Sequence, residues 1–180
     1  EPAIAELAWD LEARAWLVAG DTSRAVGRYS LLVQGDLGAA QRGEALAAIG
    51  TLEEAGGDMG AALAAYEASL DVYPRGASGA RAAWAVIRIG AVDAEEALRS
   101  ARILDQVREN HQALQAYERH LAALPEAVQP EPDVLLARAR LLSAVGTHEA
   151  AVVEFRKMVE TDDPEFELRV LDEWHAARSR

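Results

Sequence analysis

The stretch that decides the fold is Gly57–Pro74, GDMGAALAAYEASLDVYP. A Gly-Asp pair opens it, a helical segment follows with Ala62 and Tyr66 four positions apart on one face, and a proline closes it. Preceded by the helical pattern of residues 37 to 55, it forms one helix-turn-helix unit, and the rest of the chain reads as imperfect copies of that unit.

Three segments, this one among them, align without gaps. Gly20, Ala25 and Tyr29, then Gly57, Ala62 and Tyr66, then Gly146, Ala151 and Phe155 share the spacing glycine, four residues, alanine, three residues, aromatic ring. A fourth copy has Ala113, Tyr117 and a following Pro125, with Arg108 where the glycine belongs. Glycine tolerates the positive φ of a tight turn, alanine lets two helix backbones approach, and the ring fills the gap to the next helix. The pattern is a packing rule.

With its large and small residues in register, the sequence resembles the tetratricopeptide repeats, whose unit is a helix-turn-helix of about 34 residues. Trp9, Ala13, Trp16, Gly20, Ala25 and Tyr29 carry the resemblance in the first copy. Leu46, Gly50, Gly57, Ala62, Tyr66 and Pro74 carry it in the second, and Leu135, Ala139, Leu142, Gly146, Ala151 and Phe155 in the last. The resemblance implies an all-α, right-handed superhelical solenoid of about nine or ten helices in a single domain. Its units would be about 6–39, 43–76, an irregular middle 77–127, and 132–165, with a capping helix over 164–178.

Taken in order, the pattern predicts a helix over residues 3 to 19 that carries Ile4, Leu7 and Leu11, and a second from Ser23 to Val33. Asp36 is the expected N-cap of a third helix, Leu37 to Ala55, and Asp58 starts the fourth. In the middle the repeat frame slips by 17 residues, half a unit. A break near Arg108 to Asn110 gives helices at about 78–90, 93–107 and 111–124; one long helix over 93–124 is the alternative. PEAVQPEP, residues 125 to 132, has three prolines in eight positions and reads as a loop. Asp163-Pro164 then caps a last helix with Phe166, Val170, Leu171 and Trp174 on one side and mostly charged residues on the other.

Composition narrows the function. A net charge of -12 disfavours a nucleic-acid partner and an anionic membrane surface, both of which need a basic face. The charge is uneven: the first 76 residues hold five basic and twelve acidic side chains, whereas residues 77 to 127 hold six and seven. With no cysteine there is no disulfide, thiolate site or cysteine nucleophile, and no apolar run approaches a membrane span. The chain begins with Glu1 instead of Met, as expected of a processed protein or an excised domain, so cytoplasm and bacterial periplasm both stay open.

No residue cluster calls for chemistry. His111, His120, His148 and His175 lack the helical spacing of a metal pair, and adjacent carboxylates such as Glu53-Glu54 point about 100° apart on a helix. No cofactor is expected. What the resemblance leaves is the concave face lined by first helices: Asp10, Arg14 and Leu17; Ala47, Thr51 and Glu54; Leu136, Arg140 and Ser143. Arg81, Arg88, Arg99 and Arg102 of the middle add positive charge. The implied activity is a non-enzymatic interaction scaffold that takes a partner peptide or helix of some acidic character along this face. The lysines and asparagines with which chaperone-binding members grip a carboxylate are absent. Two other readings fit the same sequence: the helical, non-catalytic region of a bacterial envelope enzyme such as a lytic transglycosylase, and a self-assembling module that uses Phe166, Val170 and Trp174 of the end helix.

Overall fold

In a computed structural model the chain is described over residues 2–90, 92–159 and 164–178, and its side chains over 8–90, 92–159 and 165–177. Among the described residues there are ten helices and no strand: α1 Pro2–Val18, α2 Thr22–Gln34, α3 Ala39–Gly56, α4 Met59–Val72, α5 Gly76–Ile89, α6 Ala94–Gln106, α7 Asn110–Ala123, α8 Pro132–Ala144, α9 His148–Val159 and α10 Pro164–Arg178. They fall into two compact units, divided between Val92 and Asp93, inside the stretch where the repeat frame slips.

In the first unit α1 pairs with α2 and α3 with α4, α2 also packs on α3, and α5 lies against α4 and α3. In the second, α6 pairs with α7 and α8 with α9, α7 packs on α8, and α10 closes on α9 and α8. Within the first unit the half-unit slip corresponds to α5, a fifth helix that follows two pairs. The one-helix alternative over 93–124 does not form, because the chain turns at Val107–Glu109.

Each second helix starts from the same backbone turn. Gly20, Gly57 and Gly146 have φ of 79°, 87° and 88°, and Arg108 occupies the fourth turn at φ 64°. The fourth copy is thus complete in its backbone although its sequence lacks the glycine. Asp21 and Asp58 cap α2 and α4 by accepting from the amides of Arg24 and Ala61 at 3.0 and 2.9 Å. Asp93 does the same for α6, accepting from Glu96 at 2.9 Å.

The expected cap at Asp36 is not used. α3 begins at Ala39, and the Gln41 side chain accepts from the Gly38 amide at 3.3 Å. Leu37 sits against the core instead of opening the helix, and that burial draws the start along the chain. The Asp163 cap and the Ile4 and Leu7 side chains lie outside the described residues.

The small positions of the pattern are contact points. A Cβ on Gly50 would lie 2.8 Å from the Tyr66 ring, so the first and second helices touch there through backbone and ring face. Ala13, Ala101 and Ala139, seven residues before their respective turns, are fully buried. Trp9 and Trp16 pack on the core formed by Ala13, Ala25, Tyr29, Leu32, Ala45 and Leu52, and Arg24 stacks over Trp16 at 4.4 Å. On α10, Phe166 and Val170 are buried and Trp174 stacks against Phe155 with ring centroids 6.4 Å apart. The residues named for self-association therefore face inward within this chain.

Candidate functional site

The first-helix face is organised by tyrosines from the second helices and by ion pairs one repeat apart. The Tyr66 hydroxyl donates to Thr51 Oγ1 and Glu54 Oε2, both at 3.2 Å, and Glu54 in turn pairs with Arg88, 34 residues on. Asp105 pairs with Arg140, 35 residues on, and Asp133 with Arg169 at 2.8 Å, 36 residues on. Each of these pairs joins a helix to the next but one, α3 to α5, α6 to α8 and α8 to α10. Arg102 meets Glu131 at 3.3 Å, and Arg14 meets Asp10 one turn earlier on α1 at 2.9 Å.

These contacts tune the ionisable groups. Burial holds the phenols of Tyr29, Tyr66 and Tyr117 above their ordinary value, and the carboxylates of Asp10, Glu54 and Asp105 add to it. Burial works against the charge of Arg140, but the hydrogen bond to Asp105 and the charges of Asp105 and Glu173 together outweigh it, and its pKa rises. The exposed Arg14 is raised chiefly by its bond to Asp10.

The residues proposed from sequence therefore sort themselves. Glu54 and Arg88 neutralise each other, as do Asp10 and Arg14, Asp105 and Arg140, and Arg102 and Glu131. Leu136 and Ser143 are buried, and Leu17 is half-buried against the first core. Thr51 is exposed, though its hydroxyl donates to the Ala47 carbonyl at 2.9 Å. Arg99 is exposed on α6. The arginine group of the middle is split, with Arg81 and Arg88 on α5 and Arg99 and Arg102 on α6 of the other unit.

One cavity joins several of these residues. In the first unit a cleft of about 570 Å³ is lined by Asp10 and Arg14 of α1, Tyr29 and Leu32 of α2, Gln41, Glu44, Ala45 and Ala48 of α3, Leu37 and Arg81. Leu32, Leu37, Ala45 and Ala48 give it apolar lining, and Asp10, Glu44, Arg14 and Arg81 bring two carboxylates and two guanidiniums. Arg14 is already paired; Arg81 is exposed and, among the described residues, has no ion-pair partner. Sequence reasoning placed Arg81 with the charges of the middle and not with Asp10 and Arg14. The signal was present, since Arg81 stands 34 residues after Ala47, itself a first-helix face position.

The sequence matches no protein-family model, and a search of curated proteins finds no match. Among the described residues no helix is long and apolar enough to cross a membrane.

Proposed function

We propose that this chain is a helical-repeat protein of the tetratricopeptide type, a right-handed solenoid that serves as a non-enzymatic interaction scaffold. Its ligand is a segment of another protein, seated in the cleft of the first unit. The observation that carries this reading is apolar lining beside Arg81, a guanidinium with no ion-pair partner among the described residues. An acidic side chain next to an apolar one on the incoming segment satisfies both features. The recurrent spacing of glycine, alanine and ring supports the family, and the ion pairs one unit apart support stacking of equivalent first helices.

The test is capture of the partner from native lysate, followed by calorimetric titration of the captured segment. Arg81→Glu is expected to weaken binding by about tenfold or more, as loss and reversal of one desolvated charge contact does, with the melting temperature unchanged. Arg14→Glu, whose parent charge Asp10 already balances, is expected to weaken it less. Equal affinities for parent and Arg81→Glu remove the cleft from the reading.

A further inference from the structure

We propose that the segment seated in the cleft of the first unit carries a basic side chain for Glu44 as well as the acidic one for Arg81, an inference that rests on reading the cleft as a protein-binding site. Glu44 of α3 and Arg81 of α5 both line the cleft, both are exposed, and among the described residues neither has an ion-pair partner. Both belong to interior helices of the chain.

Other charges of the same kind close on each other. Glu54 of α3 pairs with Arg88 of α5, Asp105 of α6 with Arg140 of α8, and Asp133 of α8 with Arg169 of α10. In each case a carboxylate is neutralised by an arginine of the next helix but one, 34, 35 and 36 residues on. Glu44 and Arg81 repeat the arrangement on α3 and α5 at a separation of 37 residues, yet they stay apart. The same two helices are thus tied by charge toward their C-terminal ends, at Glu54 and Arg88, and carry open charges nearer their N-terminal ends, on a cleft of about 570 Å³.

The remaining charges of the cleft do not fill the gap. Arg14 lies on Asp10 at 2.9 Å, both on α1. Burial raises the Tyr29 phenol and the bond to Asp10 raises the Arg14 guanidinium; the Glu44 charge adds to both, as its place on the cleft wall requires. A segment that brings only an acid is drawn by Arg81 and repelled by Glu44. One that brings a base as well satisfies both charges, while its apolar side chain rests on Ala45 and Ala48.

The probe is a phage-displayed library of random dodecapeptides, selected on the intact chain. Peptides retained by the parent and released by Arg81→Glu are expected to carry a Lys or Arg together with an Asp or Glu. For the most enriched sequence, made as a free peptide, Glu44→Lys is expected to weaken binding about three- to tenfold in calorimetric titration, and Glu44→Gln less, with the parent melting temperature kept in both. Replacing the basic residue of the peptide by Glu is expected to weaken binding to the parent and to restore it with Glu44→Lys, a rescue that loss of structure does not give. Retained peptides with an acid and no base, equal affinity for parent and Glu44→Lys, or a failed rescue overturn this proposal and leave the cleft reading standing, because Arg81→Glu still releases the peptides. Peptides retained equally by parent and Arg81→Glu, or none retained, overturn both.

Discussion

The hairpins α3–α4 and α6–α7 solve one packing problem with different residues. Both turn through a left-handed residue, Gly57 in the first and Arg108 in the second. Both bury a small residue seven positions earlier, Gly50 against Ala101, and both bury a tyrosine nine positions later, Tyr66 against Tyr117. Both tie the end of the second helix to the start of the first through a polar side chain. Ser69 Oγ donates to the Gly43 carbonyl and His120 Nδ1 to the Ala94 carbonyl, each at 2.7 Å and each across 26 residues. The comparison teaches that the repeat is conserved here as backbone geometry and contact position, while residue identity drifts around it.

The hairpins differ most at the small position. Because a Cβ on Gly50 would stand 2.8 Å from the Tyr66 ring, Gly50→Val is expected to lower unfolding stability by about 3 kcal/mol, the upper end for overpacking, whereas Ala101→Gly costs about 1 kcal/mol. Chemical denaturation of both variants measures the contrast; similar losses would show that Tyr66 moves aside.

Next in size are the polar ties. Ser69→Ala and His120→Leu each remove one hydrogen bond to a helical carbonyl that keeps its intrahelical donor, at a cost of about 0.5–1.5 kcal/mol. If the two hairpins are equivalent, the losses match to within about 1 kcal/mol; a neutral His120→Leu means that solvent reaches the Ala94 carbonyl.

The turns give a smaller effect of opposite signs. Arg108→Gly removes left-handed strain of roughly 1–2 kcal/mol and adds unfolded-state freedom, for a net gain of about 0.5–1 kcal/mol. Gly57→Ala is destabilising by about 1 kcal/mol for the converse reason. A rise in denaturation midpoint for the first and a fall for the second, at constant m-value, is the expected result.

The smallest effect is alkaline. Burial favours the neutral phenols of Tyr66 and Tyr117, so the folded state holds these protons more tightly than the unfolded chain does. Their contribution is fully present below pH about 10, the ordinary tyrosine value, and is lost as pH rises through the folded values. Tyr117→Phe should make the fall in stability above pH 10 less steep. An unaltered alkaline slope would show that Tyr117 ionises as freely in the folded chain as in the unfolded one.

Much of this was legible in the sequence, because helix periodicity, turn glycines and Asp caps act over five to ten residues and need no distant partner. Ala62 and Tyr66 were readable as packing positions, and the break near Arg108 was readable despite the missing glycine, since Ala113 and Tyr117 fixed the frame of α7. The cap of α3 was misread because the burial of Leu37, a tertiary effect, outweighs the local preference of Asp36 for a helix start. The face residues were only partly legible. A sequence lists Glu54, Arg88, Asp105 and Arg140 as charges on first helices, but their mutual neutralisation depends on which helices lie side by side.

By itself the sequence determined the helical class, the repeating pair and the places where chain direction reverses, since each is set by contacts or dihedral preferences within one unit. Only the tertiary structure decided that Glu54 pairs with Arg88 and that Arg81 shares a cleft with Asp10 and Arg14. Those features arise between residues 34 or more positions apart, where the spacing of apolar residues sets which face is buried but not which helix covers it.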